Sequence, residues 1–180
     1  MNGLVVWLTG LPGSGKSTLA EGIKGLFPAF TILRLDEARK ILTPEPDYSE
    51  HERELVYRSI VYTAKVLSEL GHPVIIDATA NRRRWRELAR QLIPAFAEIY
   101  LICPLPVCEQ REMTRKDTHG APTGIYRKGA AGSPVPGVQV PYEEPPAPEL
   151  VIETEREAPE NALNRVRELI ISKAPSLVPA

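Results

Sequence analysis

The chain has little cysteine, no excess charge of either sign and no long apolar run. Its 2 cysteines in 180 residues are too few for a disulfide framework, which predicts a reducing, cytoplasmic environment. The 22 basic and 23 acidic residues give a net charge of −1, which disfavours nucleic acid as a partner. No apolar stretch approaches the ~20 residues that span a bilayer, and Gly10 comes too early for a secretory apolar segment, so we expect no membrane association.

Proline, by contrast, is abundant. It accounts for 18 of the 180 residues, about twice the ~5% average, and six of the 18 fall between Pro134 and Pro148. Because proline lacks a backbone donor and has a fixed φ, this proline-rich segment (residues 134–148) is predicted to be neither helix nor central strand. The length and the 43% hydrophobic content favour one domain over residues 1–180.

Short apolar runs alternate with amphipathic stretches along most of the chain. We predict five strands, at residues 4–9, 30–35, 73–77, 97–103 and 149–153. Helices are predicted at about residues 15–26, 49–70, 85–92, 106–117 and 159–172, with an irregular segment between the last two. Ser49 and Glu52 form a capping box at the start of the second helix. This order predicts an α/β fold with a five-stranded parallel sheet between two helix layers, and ligands at the carboxyl ends of the strands.

Residues 10–17, Gly-Leu-Pro-Gly-Ser-Gly-Lys-Ser, match G-x-x-x-x-G-K-[ST] between a predicted strand and a predicted helix. Glycines allow the backbone N–H groups to converge on phosphate oxygens at the helix N-terminus. Lys16 would reach the β- and γ-phosphates as a catalytic residue, and the Ser17 hydroxyl would ligate Mg²⁺. The absence of a guanine motif favours ATP. The predicted ATP-binding residues are Gly10, Leu11, Pro12, Gly13, Ser14, Gly15, Lys16, Ser17 and Thr18.

Two carboxylates are predicted at the sheet edge that faces the γ-phosphate. Asp36 closes the second strand, where it could accept a proton from an acceptor hydroxyl or hold Mg²⁺ through water. Asp77 ends the third strand and could coordinate Mg²⁺ or water. Arg39, one turn after Asp36, could clamp an anionic acceptor, and Arg53 lies in a first helical turn, where a cation is disfavoured unless an anion binds. The alternatives are helix caps, a turn residue and solvated arginines.

Basic residues on both sides of the irregular segment predict a lid over ATP, spanning about residues 112–148. They are Arg111, Arg115, Lys116, Arg127 and Lys128. A surface loop with incidental charges is the alternative, although loops of ~30 residues are uncommon without a function.

Structural roles are favoured for three other groups. The run Arg82-Arg83-Arg84-Trp85-Arg86 is interpreted as a solvated helix face with Trp85 in the core, and Cys103 and Cys108 as buried packing residues.

In addition to these features, the chain resembles the adenylyl-sulfate kinases from Gly3 to about Ile170. The more specific segments are residues 105–111 (Leu-Pro-Val-Cys-Glu-Gln-Arg), 124–128 (Gly-Ile-Tyr-Arg-Lys) and 141–143 (Pro-Tyr-Glu) continuing to 148–152. The resemblance implies a P-loop nucleotide kinase-like three-layer sandwich. It also implies a homodimer that transfers the γ-phosphate of ATP to the 3′-hydroxyl of adenosine 5′-phosphosulfate, a small nucleotide acceptor, in sulfate assimilation.

The resemblance also implies roles for individual residues. Asp36 matches the catalytic or metal-orienting carboxylate, and Arg39 and Arg53 match arginines that hold the acceptor. Tyr48 matches an aromatic beside the acceptor adenine. The substrate-binding set is completed by Asp77 and Ile125, and the ATP-binding set by Arg111, Arg127 and Lys128.

The chain departs from the family pattern at four places. They are Arg34-Leu35 for Asp-Gly, Val56 for Asn, residues 77–81 (Asp-Ala-Thr-Ala-Asn) for Ser-x-Ile-Ser-Pro, and Val135 for a Phe that sandwiches adenine. A lost base-stacking aromatic is worth ~1–3 kcal/mol in nucleic-acid systems. The pattern also resembles P-loop kinases acting on polynucleotide 5′-hydroxyls or small hydroxyl metabolites. Three hypotheses follow: an adenylyl-sulfate kinase, a kinase with one of these other acceptors, and a nucleotide-binding regulatory module without transfer activity.

Overall fold

The computed structural model describes residues 2–117, 121–131 and 134–178. Within these ranges strands and helices largely alternate. The strands are β1 (Val5–Thr9), β2 (Thr31–Arg34), β3 (Val74–Asp77), β4 (Phe96–Ile102) and β5 (Leu150–Glu153). The helices are α1 (Lys16–Leu26), α2 (Leu35–Leu42), α3 (Glu50–Glu69), α4 (Arg83–Leu92), α5 (Leu105–Thr114), α6 (Ile125–Ala130) and α7 (Pro159–Lys173).

The five strands form one parallel sheet in the order β2-β3-β1-β4-β5, which confirms the predicted α/β fold. β1 is central, and its neighbour β3 aligns Asp77 with Leu8. On the other side of β3, Asp77 aligns with Arg34 at the end of β2. The carboxyl ends of β1, β2 and β3 therefore meet at one edge, where the chain continues into the glycine-rich loop after β1.

The core lies on both faces of the sheet, and β1 contributes to each. Val6 and Leu8 pack with buried residues of α1 and α7, whereas Val5 and Trp7 pack with residues of α3 and α4. Every residue of β1 is buried, as a strand covered on both faces requires. This arrangement gives the three layers that the order of the elements predicts.

One predicted boundary near the sheet edge is wrong, and the predicted capping box forms only in part. β2 ends at Arg34, so Asp36 lies in the first turn of α2 instead of closing a strand. Asp36 and Glu37 favour a helix start there, because carboxylates stabilise the N-terminal end of the helix dipole. The Ser49 hydroxyl accepts from the Glu52 amide as predicted, but the Glu52 carboxylate accepts from the amides of Asp47 and Tyr48, so the capping box is not reciprocal.

The region after β4 also differs from the prediction. α5 ends at Thr114, short of residue 117, because Arg115 is extended and donates to the Pro122 carbonyl at 2.6 Å. The predicted irregular segment contains the short helix α6, whose first amides at Gly124 and Ile125 are held by the Glu112 carboxylate of α5. Residues 118–120 and 132–133 of the predicted lid lie outside the described residues.

The arginine run of α4 is only partly a solvated face. Arg86 is 1% exposed and forms an ion pair with Glu98 of β4, so its assignment to the solvated face is wrong. Trp85 is buried as predicted, and so are Cys103 and Cys108. Because Trp85 and Arg86 are consecutive in α4, their side chains lie on neighbouring faces of the helix. Arg86 is buried because β4 lies against the face that carries it.

None of the helices in the described part of the chain combines the length and the hydropathy needed to cross a membrane.

We expect Trp85 to contribute strongly to stability. Its ring stacks on Tyr57 with centroids 3.9 Å apart, and its Nε1 donates to the Glu54 carboxylate at 2.7 Å. Trp85→Ala should lower the free energy of unfolding by about 3–5 kcal/mol, because it leaves a cavity between α3 and α4. Urea unfolding followed by circular dichroism measures the change. Tyr62→Ala, at an aromatic that is 67% exposed on α3, should change it by less than about 0.5 kcal/mol. Equal losses in the two variants would contradict this packing.

Candidate active site

A cleft of about 480 Å³ opens at the carboxyl edge of β1, β2 and β3. It brings together most of the predicted site residues. Those that line it are Pro12, Gly13, Gly15, Lys16, Ser17, Thr18, Asp36, Arg39, Tyr48, Arg53, Asp77, Arg111, Ile125 and Lys128. Gly10, Leu11, Ser14 and Arg127 do not line it. Ser14 is buried behind the loop and Arg127 is exposed away from the cleft, while Gly10 and Leu11 act through their backbone carbonyls.

The glycine-rich loop has the backbone that an anion site needs. Gly13 and Gly15 have φ values of 80° and 99°, in the region that favours glycine. A Cβ atom on Gly13 would collide with the carbonyl of Cys108, so α5 backs directly onto the loop. α1 begins at Lys16 with no acidic residue in its first turn and no side-chain cap. Its first amides can therefore bind phosphate oxygens.

The Lys16 side chain is buried inside this loop. Its Nζ donates to the carbonyls of Gly10 and Leu11 at 3.0 and 2.9 Å. Burial lowers the pKa of Lys16, while Asp77 and then Asp36 act to raise it. The ammonium therefore lies in the electrostatic field of both predicted carboxylates, where a phosphoryl group would be bound.

Asp36 and Asp77 retain free hydrogen-bonding capacity. Within the described residues, no hydrogen bond or ion pair involves either carboxylate, although Asp77 is buried and Asp36 only partly exposed. The pKa of Asp36 is raised by burial and then by the charge of Asp77, while Lys16 and Arg39 oppose the shift. A poorly solvated carboxylate with no donor is suited to accept a proton or to bind an ion.

Arg39 lies in the cleft with its charge already compensated. Its guanidinium forms a buried ion pair with Glu52 and lies over the ring of Tyr48, 5.1 Å from the centroid. The other oxygen of Glu52 accepts from the amides of Asp47 and Tyr48 at 2.6 and 3.1 Å. Tyr48 itself has a φ of 56°. Glu52 thus holds Arg39 and Tyr48 in place together.

Arg53 is a buried cation with a different environment. It donates to the carbonyls of Tyr48 and Pro134 at 3.0 and 2.7 Å, and its Nη1 lies 3.5 Å from Oδ1 of Asn81. No carboxylate among the described residues forms an ion pair with it, and burial lowers its pKa. Because only neutral oxygens accept its hydrogen bonds, while Glu50 and Glu52 act on its charge without pairing with it, Arg53 is better suited than Arg39 to bind an anion.

Helix α6 covers the opposite side of the loop. The Tyr126 hydroxyl donates to the carbonyl of Pro12 at 2.6 Å, and Tyr126 packs with Cys103, Cys108 and Val135. Arg111 is anchored to β5 through the hydroxyl and carbonyl of Thr154, at 3.0 and 2.8 Å. In this structure α6 rests on the loop, with Lys128 facing the cleft.

Several residues of the cleft were not predicted as site residues. They are Leu35, Tyr57, Ala78, Thr79, Asp117, Ala121, Pro122, Pro134, Val135 and Pro136, whereas Arg115, which also lines the cleft, was predicted for the lid over ATP. Tyr57 accepts a hydrogen bond from the Ala80 amide at 2.8 Å, and burial raises its pKa to about 12. Its spacing within α3 is that of a core residue, so no local signal distinguishes it. The prolines at 134 and 136 could have been noticed from the sequence, because the high density of proline in residues 134–148 indicates a rigid segment.

Because the pKa of Asp36 is raised, we expect its ionised carboxylate to lower the free energy of unfolding at neutral pH. The folded state binds the proton of Asp36 more tightly than the unfolded state, so the free energy of unfolding falls as pH rises through the folded-state pKa. Asp36→Asn should therefore raise the free energy of unfolding at pH 7. The gain should vanish near pH 3, below the ordinary value of 3.8. Urea unfolding at pH 3, 5 and 7 measures it.

Asp47→Asn is the matched control, because its expected effect has the opposite sign. The Ser49 amide donates to the exposed Asp47 carboxylate at 2.8 Å and lowers its pKa. That contribution to stability is present at pH 7 and is lost as pH falls through the lowered pKa, so this variant should be less stable than wild type at pH 7. A loss of stability at pH 7 in Asp36→Asn would rule out the proposed charge strain.

Comparisons with known proteins agree with this geometry. A family model described as adenylylsulphate kinase matches residues 2–153. An adenylyl-sulfate kinase of Bacillus pumilus is 36% identical over 179 residues, covering 94% of this chain and 86% of the relative. A probable bifunctional SAT/APS kinase 2 of Sorangium cellulosum is 33% identical over 172 residues, and the match spans 92% of this chain but 28% of the relative.

Among solved structures, the APS kinase CysC of Mycobacterium tuberculosis, in complex with AMPPNP and APS, superposes with a TM-score of 0.79. It is 29% identical, and the match covers 94% of this chain and 98% of that one. The phosphate loop, the sheet order and the sequence similarity over nearly the whole chain lead to one conclusion: the chain belongs to the adenylylsulphate kinase family of kinases.

Proposed function

We propose that the protein transfers the γ-phosphate of ATP to the 3′-hydroxyl of adenosine 5′-phosphosulfate, giving 3′-phosphoadenylyl sulfate. One observation carries the proposal: a single cleft holds the phosphate loop with Lys16, two carboxylates without donors at Asp36 and Asp77, and the buried cation Arg53. A kinase needs the first two, and an acceptor with a phosphosulfate group needs the third. Membership of the family supports the choice of acceptor.

Positioning and charge stabilisation account for most of the catalysis of phosphoryl transfer. The loop amides and Lys16 would stabilise the three oxygens of the transferring group. Asp36 would accept the proton of the attacking hydroxyl, and its raised pKa makes it a stronger base than an ordinary Asp. Arg53, which also lines the cleft, would hold the anionic group of the acceptor and so orient its ribose.

Magnesium fits the oxygen donors at the loop. The described residues contain no group of three or more His, Cys, Asp or Glu side chains able to hold a metal ion. Mg²⁺ in kinases is usually bound by one or two carboxylates and the substrate phosphates, with several waters. Ser17, Asp36 and Asp77 line the cleft and offer only hard oxygen ligands. When bound, the ion would neutralise charge on the β- and γ-phosphates.

On the ATP side, we propose that Arg111 and Lys128 contact the nucleotide, because both line the cleft beyond the loop. Arg127 is exposed outside the cleft, and its contact with ATP stays a prediction. The closing motion of the lid, the single domain over residues 1–180, the homodimer and the cytoplasmic location also stay predictions.

The central test is ADP release on addition of adenosine 5′-phosphosulfate, with the phosphorylated product identified by mass spectrometry. Asp36→Ala should lower kcat by about 10²–10⁴-fold, the usual contribution of a positioned base, while the Kd for ATP changes little. Asp47→Ala, at an exposed carboxylate outside the cleft, is the control and should keep wild-type turnover. An ADP release rate equal to background hydrolysis would exclude this acceptor.

A second prediction concerns the acceptor anion. Arg53→Gln should raise KM for adenosine 5′-phosphosulfate about 10–100-fold, the cost of a lost charge-assisted hydrogen bond, with little change in KM for ATP. Arg53→Lys, which keeps the charge, should restore part of the affinity. Arg58→Gln on the same helix, where the arginine is exposed and pairs with Glu54, is the control. A rise in KM for ATP alone would contradict this prediction and assign Arg53 to ATP binding.

The acceptor side of the cleft also leaves a second candidate. The lining of the cleft includes Val135, at the position where the family pattern has a Phe that sandwiches adenine. A polynucleotide 5′-hydroxyl or a small hydroxyl metabolite could then be the acceptor, with the same mechanism. Labelled γ-phosphate on an oligonucleotide end, or a coupled ADP readout with other acceptors, tests this. For a regulatory module without transfer, ATP would bind but Asp36→Ala would change nothing measurable.

A further inference from the structure

We propose that the Tyr142 hydroxyl and Arg86 are positioning residues, which hold the acceptor side of the cleft in register with the phosphate loop. Neither lines the cleft, so any effect on the reaction must act through other residues. The kinetic part of the proposal rests on the proposed function, whereas its structural part does not.

The centre of the arrangement is the Thr9 hydroxyl, which directly precedes the phosphate loop at the end of β1. It donates to the carbonyl of Thr79 at 2.7 Å. The Tyr142 hydroxyl lies 2.7 Å away, and because the only Thr9 hydroxyl proton is already used, Tyr142 must donate to Thr9. Nη1 of Arg86 donates to both oxygens at 3.0 Å. The two hydroxyls and the Arg86 guanidinium are thus joined in one hydrogen-bonded cluster.

Arg86 fixes this cluster to the sheet and to the proline-rich segment. Its side chain is 1% exposed and forms an ion pair with Glu98 of β4, with Nε and Oε1 3.2 Å apart. Its Nη2 donates to the carbonyl of Glu143, and its guanidinium lies 5.5 Å from the centroid of the Tyr142 ring. A buried cation with this many partners is held in place, since moving it would break the ion pair and several hydrogen bonds.

The same segment continues to the proposed anion site. The Glu143 amide donates to the carbonyl of Asn81 at 2.8 Å, and the Asn81 side chain donates to the carbonyl of Pro141 at 3.1 Å. At the other end, Arg53 donates to the carbonyl of Pro134 at 2.7 Å. Residues 134–143 thus form a strap that is held at both ends. Arg53 binds it at Pro134, and Arg86 binds it at Tyr142 and Glu143.

This strap and the loop both contribute residues to the cleft, and they also touch each other, since a Cβ atom on Gly137 would lie 2.8 Å from the side chain of Leu11. Thr79, Pro134, Val135 and Pro136 line the acceptor side, and Lys16 lines the phosphate side. Thr9, the residue before the loop, is hydrogen-bonded through its hydroxyl to Thr79 and to Tyr142 of the strap. In phosphoryl transfer, a displacement of about 1 Å between donor and acceptor can cost on the order of 10²-fold in rate. The hydrogen-bonded cluster around Thr9 is therefore one of the contacts that fix the strap relative to the loop.

Tyr142→Phe removes only the hydroxyl and leaves the ring, which stacks on Tyr100 with centroids 5.8 Å apart. Tyr100→Phe is a matched control, because its hydroxyl donates to Glu144 at 3.1 Å and is not bonded to Thr9. We expect Tyr142→Phe to lower kcat/KM for adenosine 5′-phosphosulfate about 10–100-fold while the Kd for ATP alone changes less than about twofold. Kinetics equal to those of Tyr100→Phe would overturn the positioning role.

Hydrogen–deuterium exchange of the ligand-free protein provides a readout that needs no turnover. Tyr142→Phe should speed exchange both in residues 10–18 and in residues 134–143, whereas Tyr100→Phe should leave residues 10–18 unchanged. Faster exchange confined to residues 134–143 would show that the strap is not coupled to the loop and would refute the inference. If wild type does not phosphorylate adenosine 5′-phosphosulfate, the proposed acceptor fails, and the exchange result still decides this inference.

A double-mutant cycle with Thr9→Val tests the pair directly. Thr9→Val removes the oxygen that accepts from Tyr142 with little change in shape, and it is a milder change than any at the buried Arg86. The exchange rates of Thr9→Val/Tyr142→Phe in residues 134–143 should be close to those of Thr9→Val alone, since the shared bond is already lost. Independent, additive effects of the two substitutions would refute a direct coupling.

Discussion

The buried ammonium of Lys16 is the group on which the arrangement of the cleft depends. A cation removed from water must be compensated, and here the loop carbonyls and the field of Asp36 and Asp77 compensate it. The sheet order makes this possible, because β3 lies between β1 and β2 and brings all three carboxyl ends to one edge. The two carboxylates remain without hydrogen-bond donors among the described residues, and that open capacity is what a kinase site requires.

The two arginines on the acceptor side illustrate how equal residue types acquire different roles. The Arg39 guanidinium pairs with Glu52 and lies over the ring of Tyr48, and these contacts fix it as part of the cleft wall. Arg53 is bonded to carbonyl and amide oxygens and pairs with no carboxylate among the described residues, so an incoming anion can form an ion pair with it. The tertiary contacts of Glu52 decide the difference, because its carboxylate pairs with Arg39, 13 residues away, and not with Arg53, which follows it directly in the sequence.

Much of the fold was predictable because its signals are local. The apolar run of β1, the glycines of the phosphate loop and the periodic apolar face of α3 each specify their own conformation. The predictions failed where a distant residue decides the outcome. α6 depends on Glu112, twelve residues earlier, and Arg86 is buried because Glu98 of β4 lies against α4. The two ends of the strap likewise depend on contacts across more than 50 residues.

The sequence by itself determined the family pattern, the phosphate loop and the identity of the carboxylates and cations available to the site, since residue type and local spacing suffice for these. Tertiary structure alone decided which of those groups are free. It paired Arg39 with Glu52, left Arg53 without an ion-pair partner and both aspartates without donors among the described residues, and joined Thr9 to Tyr142. The physical reason is that hydrogen-bond satisfaction of a buried group depends on neighbours from other elements, and sequence spacing carries no information about them.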